Sequence, residues 1–307
     1  MAGINSSIIS FPDRGPWGDK KYRGNCSGYV HKGLIEQYHV HSLGEVFAGS
    51  GTGSDVCRDL KIPYCGLDLN PNPIRKDIIS GYNVLTDDIP DEFYGKEMVF
   101  MHPPYGEEIG IPYAGSQWKA PNIEELKKQD LGQMPWPAFI QALNFVVMKF
   151  YASLDKGARM AILMGDVKRK GKLYSMLCDI VKPGQLEQVI IKAQHNCWSD
   201  SNSYSNRNFV PIEHEYILVL KKAAEYIVDF SLPKQYQSDI RDLSTATWKD
   251  VINAVMEHLN GKASLEQIYA ELEGHKRCST CVDWKAKVRQ TLQKYCVPVE
   301  RGVWAAA

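Results

Sequence analysis

Met98-Val-Phe-Met-His-Pro-Pro-Tyr105 is four apolar residues followed by a histidine, two prolines and an aromatic. A short apolar run bounded by turn formers fits a strand buried on both faces. The prolines fix φ and cannot extend the strand, so the chain turns at its carboxyl end. The carbonyl before them stays free to accept a hydrogen bond, and an aromatic beside such an acceptor suits a flat, amine-bearing ring. Working outward, similar apolar runs recur at 45–48, 64–69, 160–164, 189–192 and 216–220. Between them, 138–154 repeats Phe139, Leu143, Val146, Val147 and Phe150 at helical spacing. Alternating strands and helices predict an α/β sandwich on a mostly parallel sheet. Ligands of such sheets bind at the carboxyl ends of the strands, near the point where strand order reverses.

Two further stretches bring a tight turn and acids to that end. Glu45-Val-Phe-Ala-Gly-Ser-Gly-Thr-Gly-Ser54 runs from a strand through a glycine-rich turn into a helix. Gly49 and Gly51 let the backbone bend sharply and approach a ligand. No Gly-Lys-Ser/Thr follows, so the turn is not a phosphate loop, and Ser54 replaces the third glycine of a dinucleotide fingerprint. Taken alone it is equally an ordinary strand–helix connection. In Gly66-Leu-Asp-Leu-Asn70, Asp68 ends the next strand, about twenty residues on, where an acid accepts both hydroxyls of a ribose. A solvated strand-end carboxylate is the plainer alternative. Asp87 ends a possible third strand, where an adenine amine would be met.

The chain has 307 residues, 44% hydrophobic and 23% charged, which excludes chain-wide disorder and provides for a core plus a second, smaller domain. Lys+Arg and Asp+Glu are both 36, which excludes a uniformly basic coat but not a local basic face. There is no apolar run of membrane-spanning length, and the N-terminus lacks the charged and apolar regions of a secretory signal. Eight scattered cysteines read as thiols rather than a disulfide framework. A cytoplasmic protein without membrane contact is expected.

Lys234 to Thr247 is polar and reads as a linker, so the expected domains are 1–235 and 236–307. In the second, Trp248–Leu259 is amphipathic and stopped by Asn260-Gly261, Ser264-Leu-Glu-Gln267 has the form of a capping box, and Val282–Tyr295 makes a third helix. The tail alternates about Arg301-Gly302 as a hairpin would. Three helices and a hairpin are the order of a winged helix-turn-helix. From His275 to Trp304 there are seven Lys/Arg and two acids, net +5, whereas Trp248–Gly274 is net −3. Lys285, Arg289, Gln290 and Arg301 are therefore the expected nucleic-acid contacts, with a protein-docking winged helix left open. His275, Cys278, Cys281 and Cys296 carry only one Cys-x2-Cys knuckle, and no metal is assigned to them.

With these residues in view, the chain resembles the class I S-adenosylmethionine-dependent methyltransferases, and more narrowly the DNA amino-methyltransferases that modify adenine N6 or cytosine N4. His102-Pro103-Pro104-Tyr105 stands where that family has Asp/Asn/Ser-Pro-Pro-aromatic, and Glu45 to Gly51 where it has Asp-Pro-Phe-x-Gly-x-Gly. Lys21 to Ser27 and Leu34 to Tyr38 look like its N-terminal motif, and 159–169 with 211–220 resemble its later strands. The resemblance implies a Rossmann-like, seven-stranded sheet and S-adenosyl-L-methionine as cofactor. It implies that Tyr22, Arg23, Gly24, Asn25, Glu45, Phe47, Gly49, Ser50, Gly51, Asp68, Leu69 and Asp87 hold that cofactor. It further implies that His102 and the Pro103 carbonyl accept from the amine of a base flipped out of DNA, while Tyr105 stacks on the base. Adenine is the preferred target, cytosine the alternative, and the enzyme would act alone or beside a separate restriction subunit.

Two departures mark the chain: a histidine where the family has Asp, Asn or Ser, and Glu45-Val46 for Asp-Pro. His102 either accepts from the amine, which needs an unprotonated ring nitrogen, or only holds the loop. Residues 106–136, with Trp118 and Lys119, are either a lid on the target strand or an insertion that packs its tryptophans inward. Arg207, in the polar stretch 195–208, is a further candidate contact. The rival classes are an RNA or protein amine methyltransferase and a DNA-binding regulator that keeps the cofactor without turnover.

Overall fold

The computed structural model describes residues 4–109, 113–195, 210–224, 230–231 and 247–306. The chain divides into two compact units, 1–233 and 234–307. The segment read as a linker, save Thr247 at its end, and Arg207 lie outside the described residues.

In the first unit the strands are β1 (Ile8–Ser10), β2 (Leu43–Val46), β3 (Tyr64–Leu67), β4 (Ile78–Ile79), β5 (Met98–Met101), β6 (Arg159–Met164), β7 (Asp166–Arg169), β8 (Lys172–Ser175), β9 (Lys182–Pro183), β10 (Gln185–Ala193), β11 (His214–Lys221) and β12 (Phe230–Ser231). Its helices are α1 (Gly28–Tyr38), α2 (Thr52–Leu60), α3 (Ile123–Gln129), α4 (Trp136–Ala152) and α5 (Met176–Asp179). Eight of the strands form one sheet in the order β1-β10-β11-β6-β5-β2-β3-β4. From β6 through β4 the neighbours are parallel, β11 is antiparallel to both β6 and β10, and β1 runs parallel to β10. This is an α/β, Rossmann-like architecture, and strand order reverses between β2 and β5.

Period-two alternation decides which residues meet which helices. Met98 and Phe100 of β5 pack with Val30, Leu34 and Ile35 of α1 and Val56 of α2 on one face. Val99 and Met101 pack with Phe139, Leu143, Val146, Val147 and Phe150 of α4 on the other. Those five α4 side chains are fully buried, each worth about 1.5–3 kcal/mol of transfer free energy. The strand expected to end at Asp87 is a correction. The third strand is the two-residue β4, and 83–88 is a turn held by Tyr82 Oη, which donates to the carbonyls of Asp87 and Asp88.

The second unit is α6 (Trp248–His258), β13 (Lys262–Ser264), α7 (Leu265–Leu272), α8 (Lys276–Ser279), α9 (Trp284–Tyr295), β14 (Cys296–Glu300) and β15 (Val303–Ala306). The strands form an antiparallel sheet in the order β13-β15-β14. Asn260 and Gly261 take positive φ after α6, as a helix stop requires. Ser264 and Gln267 make the reciprocal bonds of a capping box at the start of α7. Val251, Ile252, Val255, Ile268, Leu272, Val288 and Leu292 form the core. No helix among the described residues is long and apolar enough to cross a membrane.

Candidate active site

The site is built where β2, β3 and β5 end. After β2 the chain turns at Phe47, which takes φ 64°, then at Gly49 (φ 53°) and Gly51 (φ 75°), the residue that caps α2. A non-glycine residue in that region is uncommon and costs of order 1–3 kcal/mol, a strain found at ligand sites. A side chain at Gly51 would meet Arg75, whose guanidinium grips Asp55 through Nε (2.7 Å) and Nη2 (2.6 Å). The Gly49 N–H donates to Asp68 Oδ2 (2.6 Å), and the Asn70 N–H donates to Asp68 Oδ1 (2.8 Å). Asp68 is thus fixed by backbone at the end of β3. Burial raises it to about 6, against the pull of those two bonds.

The segment before α1 closes over this turn. Asn25 Oδ1 accepts from Ser50 Oγ (2.8 Å) and from Thr52 Oγ1, and Asn25 Nδ2 donates to the Asp19 carbonyl (3.0 Å). Tyr22 packs near Gly49, and its hydroxyl accepts from Trp118 Nε1 (3.0 Å). The N–H of Arg23 donates to Gln117 Oε1 (3.2 Å).

Three clefts converge on one side chain. An apolar one is lined by Tyr22, Arg23, Gly24, Phe47, Gly49, Asp68 and Leu69, together with Asn83, Val84, Pro103 and Pro104. A small one lies between Asn25, Cys26, Phe47 and Ser50. A polar one of about 320 Å³ is lined by Asp13, Arg14, Lys20, Lys192, His195 and Glu215. His102 borders all three. Across the polar cleft, Glu215 accepts from Lys192 Nζ (2.7 Å) and from the Tyr105 hydroxyl (3.1 Å). Burial opposes its ionisation, but the Lys192 ammonium, then His102, hold Glu215 below the ordinary glutamate value.

Several sequence-derived placements are corrected. Asp87 does not line the cleft: its carboxylate turns back to accept from the Asn83 N–H (2.8 Å), and Asn83 itself faces the cleft. Tyr105 is not an open stacking platform. It is 8% exposed, its hydroxyl drawn inward to Glu215. Trp118 cannot lie on a target strand, being 4% exposed and packed with Ala114 and Leu126 as a wall of the apolar cleft. Trp136 also points inward, to Asp179 (2.8 Å), so the insertion packs its tryptophans inside. Lys119 is exposed, away from the cleft walls. Glu45 borders the small cleft, yet both its oxygens are taken, by His31 Nε2 (2.7 Å) and the Tyr64 hydroxyl (2.6 Å), so it props the turn from beneath. Gly51 shapes the turn without lining a cleft.

Sequence reading missed Asn83, Gln129 and Asp130 of the apolar cleft and Lys192 and Glu215 of the polar one. Asn83 Nδ2 donates to Gln129 Oε1 (3.2 Å), across 46 positions of sequence. The one signal was polar residues interrupting buried strands, as Glu215 does in β11.

In the second unit Lys285, Arg289 and Gln290 of α9 are exposed, as is Arg301 in the β14–β15 turn. Arg289 Nη1 donates to the Tyr269 hydroxyl (2.9 Å), and Lys285 Nζ lies 5.3 Å from the Tyr269 ring and 5.4 Å from the Trp284 ring. Cys278 belongs to the apolar core, and no group of three or more His, Cys, Asp or Glu among the described residues is placed to hold a metal.

No family model and no curated protein matches the chain. Among solved structures it is similar to TrmN from Thermus thermophilus, at 12% identity and a TM-score of 0.32, over 65% of this chain and 50% of that one. It is similar to the S-adenosylmethionine-dependent methyltransferase SibL in its apo form, at 14% identity and a TM-score of 0.25, over 46% of this chain and 37% of that one. It is also similar to precorrin-6y C5,15-methyltransferase from Geobacter metallireducens GS-15, at 11% identity and a TM-score of 0.30, over 70% of this chain and 97% of that one. The chain therefore spans half or less of the length of the first two.

Proposed function

We propose that the protein transfers a methyl group from S-adenosyl-L-methionine to the exocyclic amine of a nucleic-acid base, with adenine N6 of DNA as the first choice and cytosine N4 as the second. The observation that carries this reading is the position of His102, the one side chain among the described residues that borders the apolar cleft, the small cleft and the polar cleft together.

The residues fit the cofactor. Asp68, pinned by two backbone N–H groups, presents the acceptor a ribose needs, and Asn83 offers an amide in the same cleft. Gly49 and Ser50, tied to Asn25, would hold the methionine part in the small cleft. When bound, the cofactor supplies an electrophilic methyl group on a sulfonium.

The chain's own work is positioning, which is worth up to roughly 7–11 kcal/mol in such reactions. A base amine entering the polar cleft meets His102, whose unprotonated nitrogen accepts one amine hydrogen and concentrates the nitrogen lone pair. The carbonyl of Pro103, freed by the prolines, is a second acceptor. His102 takes the proton the methylated amine must release, and the Glu215 carboxylate, held by Lys192 and Tyr105, balances the charge that arrives with it.

The order α6, β13, α7, the one-turn α8, α9 and then the β14–β15 hairpin supports a winged helix for the second unit, with α9 as the groove-reading helix. Exposed Lys285, Arg289 and Arg301 favour a nucleic-acid partner for it. Incubating full-length protein and S-adenosylmethionine with unmethylated DNA and with RNA, followed by nucleoside mass spectrometry, tests the reading. N6-methyladenine in DNA supports it and N4-methylcytosine shifts the base. Methylation of RNA alone, or of neither polymer, overturns the DNA assignment.

A further inference from the structure

Beneath the turn lies a second constellation that methyl transfer does not use. His31, on the inner face of α1, pairs through Nε2 with Glu45 Oε1 of β2 (2.7 Å) and faces Cys26 Sγ through Nδ1 (3.9 Å). His102 flanks the same thiol from the turn after β5. Cys26 is 8% exposed and borders both the polar and the small cleft, the two spaces through which a small oxidant would approach it. The charged and titratable groups facing this space are His31 and His102 beside the sulfur, Glu45 in the small cleft, and Asp13, Arg14, Lys20, Lys192, His195 and Glu215 around the polar cleft.

We propose that Cys26, His31 and Glu45 form a thiol–imidazole–carboxylate relay that makes Cys26 a site of reversible oxidation by hydrogen peroxide. The Cys26 thiolate attacks one peroxide oxygen. An S–O bond forms, the O–O bond breaks, and two electrons pass from sulfur to the peroxide. The departing hydroxide takes the Nδ1 proton of the His31 imidazolium and leaves as water. Cys26 becomes a sulfenic acid, and neutral His31 keeps its Nε2–H bond to Glu45. Burial works against the thiolate, yet His31 and His102 bring Cys26 down to about 6, whereas burial pushes Cys57, Cys65, Cys278 and Cys296 up. Thiolate character and access select the cysteine that oxidises. The added oxygen intrudes where the small and polar clefts meet, so oxidation blocks passage between them. That consequence rests on the methyl-transfer reading, whereas the oxidation does not.

The test treats the full chain with hydrogen peroxide between pH 5.5 and 8.5, traps sulfenic acid with dimedone and reads each cysteine by peptide mass spectrometry. At pH 6.5 Cys26 is expected to react at least tenfold faster than the exposed Cys178, with its rate half-maximal near pH 6. His31→Gln slows Cys26 at least tenfold at that pH, and dithiothreitol returns the wild-type protein to its starting mass. The proposal is overturned if Cys26 reacts no faster than Cys178, or if folded His31→Gln leaves its rate unchanged. Should His31→Gln fail to fold, the wild-type profile decides alone: a Cys26 rate still climbing to pH 8.5 in step with Cys178 overturns it. Methyl transfer assayed on the same samples reports separately on the function proposed above.

Discussion

The apolar and polar clefts meet at His102 and are made in opposite ways. In the apolar cleft backbone fixes the acid: two N–H groups hold Asp68, and positive φ at Phe47 and Gly49 shapes the wall. The polar cleft takes its polarity from long charged side chains drawn from both ends of the unit, Asp13 to Glu215. Backbone positions a ligand that never varies, whereas side chains can be exchanged singly without refolding the turn. The contrast suits one constant cofactor and one selectable substrate.

The largest effect expected from breaking this contrast is on stability. Lys192→Met leaves the nearly buried Glu215 charge without its partner, so unfolding free energy should fall by roughly 3 kcal/mol. Calorimetry of the full chain would read this as a Tm lower by about 6–12 °C. A shift within 1 °C would mean that solvent already screens the pair. Next comes His102→Ala, for which kcat for methyl transfer should drop ~10²-fold. Cofactor affinity, followed by titration calorimetry, should stay within about threefold, since Asp68 and the glycine turn are intact. Near-wild-type kcat would reduce His102 to a loop support.

Asp68 sharpens the comparison through pH. Its folded value is raised to about 6, so below that pH the carboxyl is protonated and loses acceptor strength. Cofactor binding should weaken as pH falls through 6, and Asp68→Asn should bind roughly tenfold more weakly with a flatter profile. The sign for stability is opposite. A carboxyl raised above its unfolded value favours the fold at low pH, and that contribution fades as pH rises from about 4 to 6. Smallest is Ser264→Ala, which removes the capping bond to Gln267 and should cost the second unit about 1 kcal/mol, read by its own melting transition.

What could be read from sequence follows the same division. The glycine turn, Asp68 and the Pro-Pro turn are contiguous motifs whose backbone demands show in residue type, and the capping box and the positive-φ Asn260-Gly261 stop are equally local. Asn83 with Gln129, Lys192 with Glu215, and His31 with Glu45 are assembled by the fold across 46, 23 and 14 positions, where no local pattern operates. Tyr105 and Trp118 were misplaced for a related reason. An aromatic next to a Pro-Pro turn or in a loop carries no mark of which way it faces, and here the buried Glu215 and the half-buried Tyr22 draw them inward.

The two outer strands of the large sheet have a consequence of their own. β1 is three residues long and β4 is two. Each offers little free ladder of its own, so neither of these two strands gives a second chain much to zip onto. β1 is moreover the only described strand beside the nine-residue β10 on its outer side. Trimming the chain past Ser10 would free Ile191, Lys192 and Ala193 and leave the outer side of β10 without its described partner, with Leu186 and Ile191 already open to solvent. Variants shortened there should form fibrous or amorphous deposits while the turn at Pro103-Pro104 remains correctly folded.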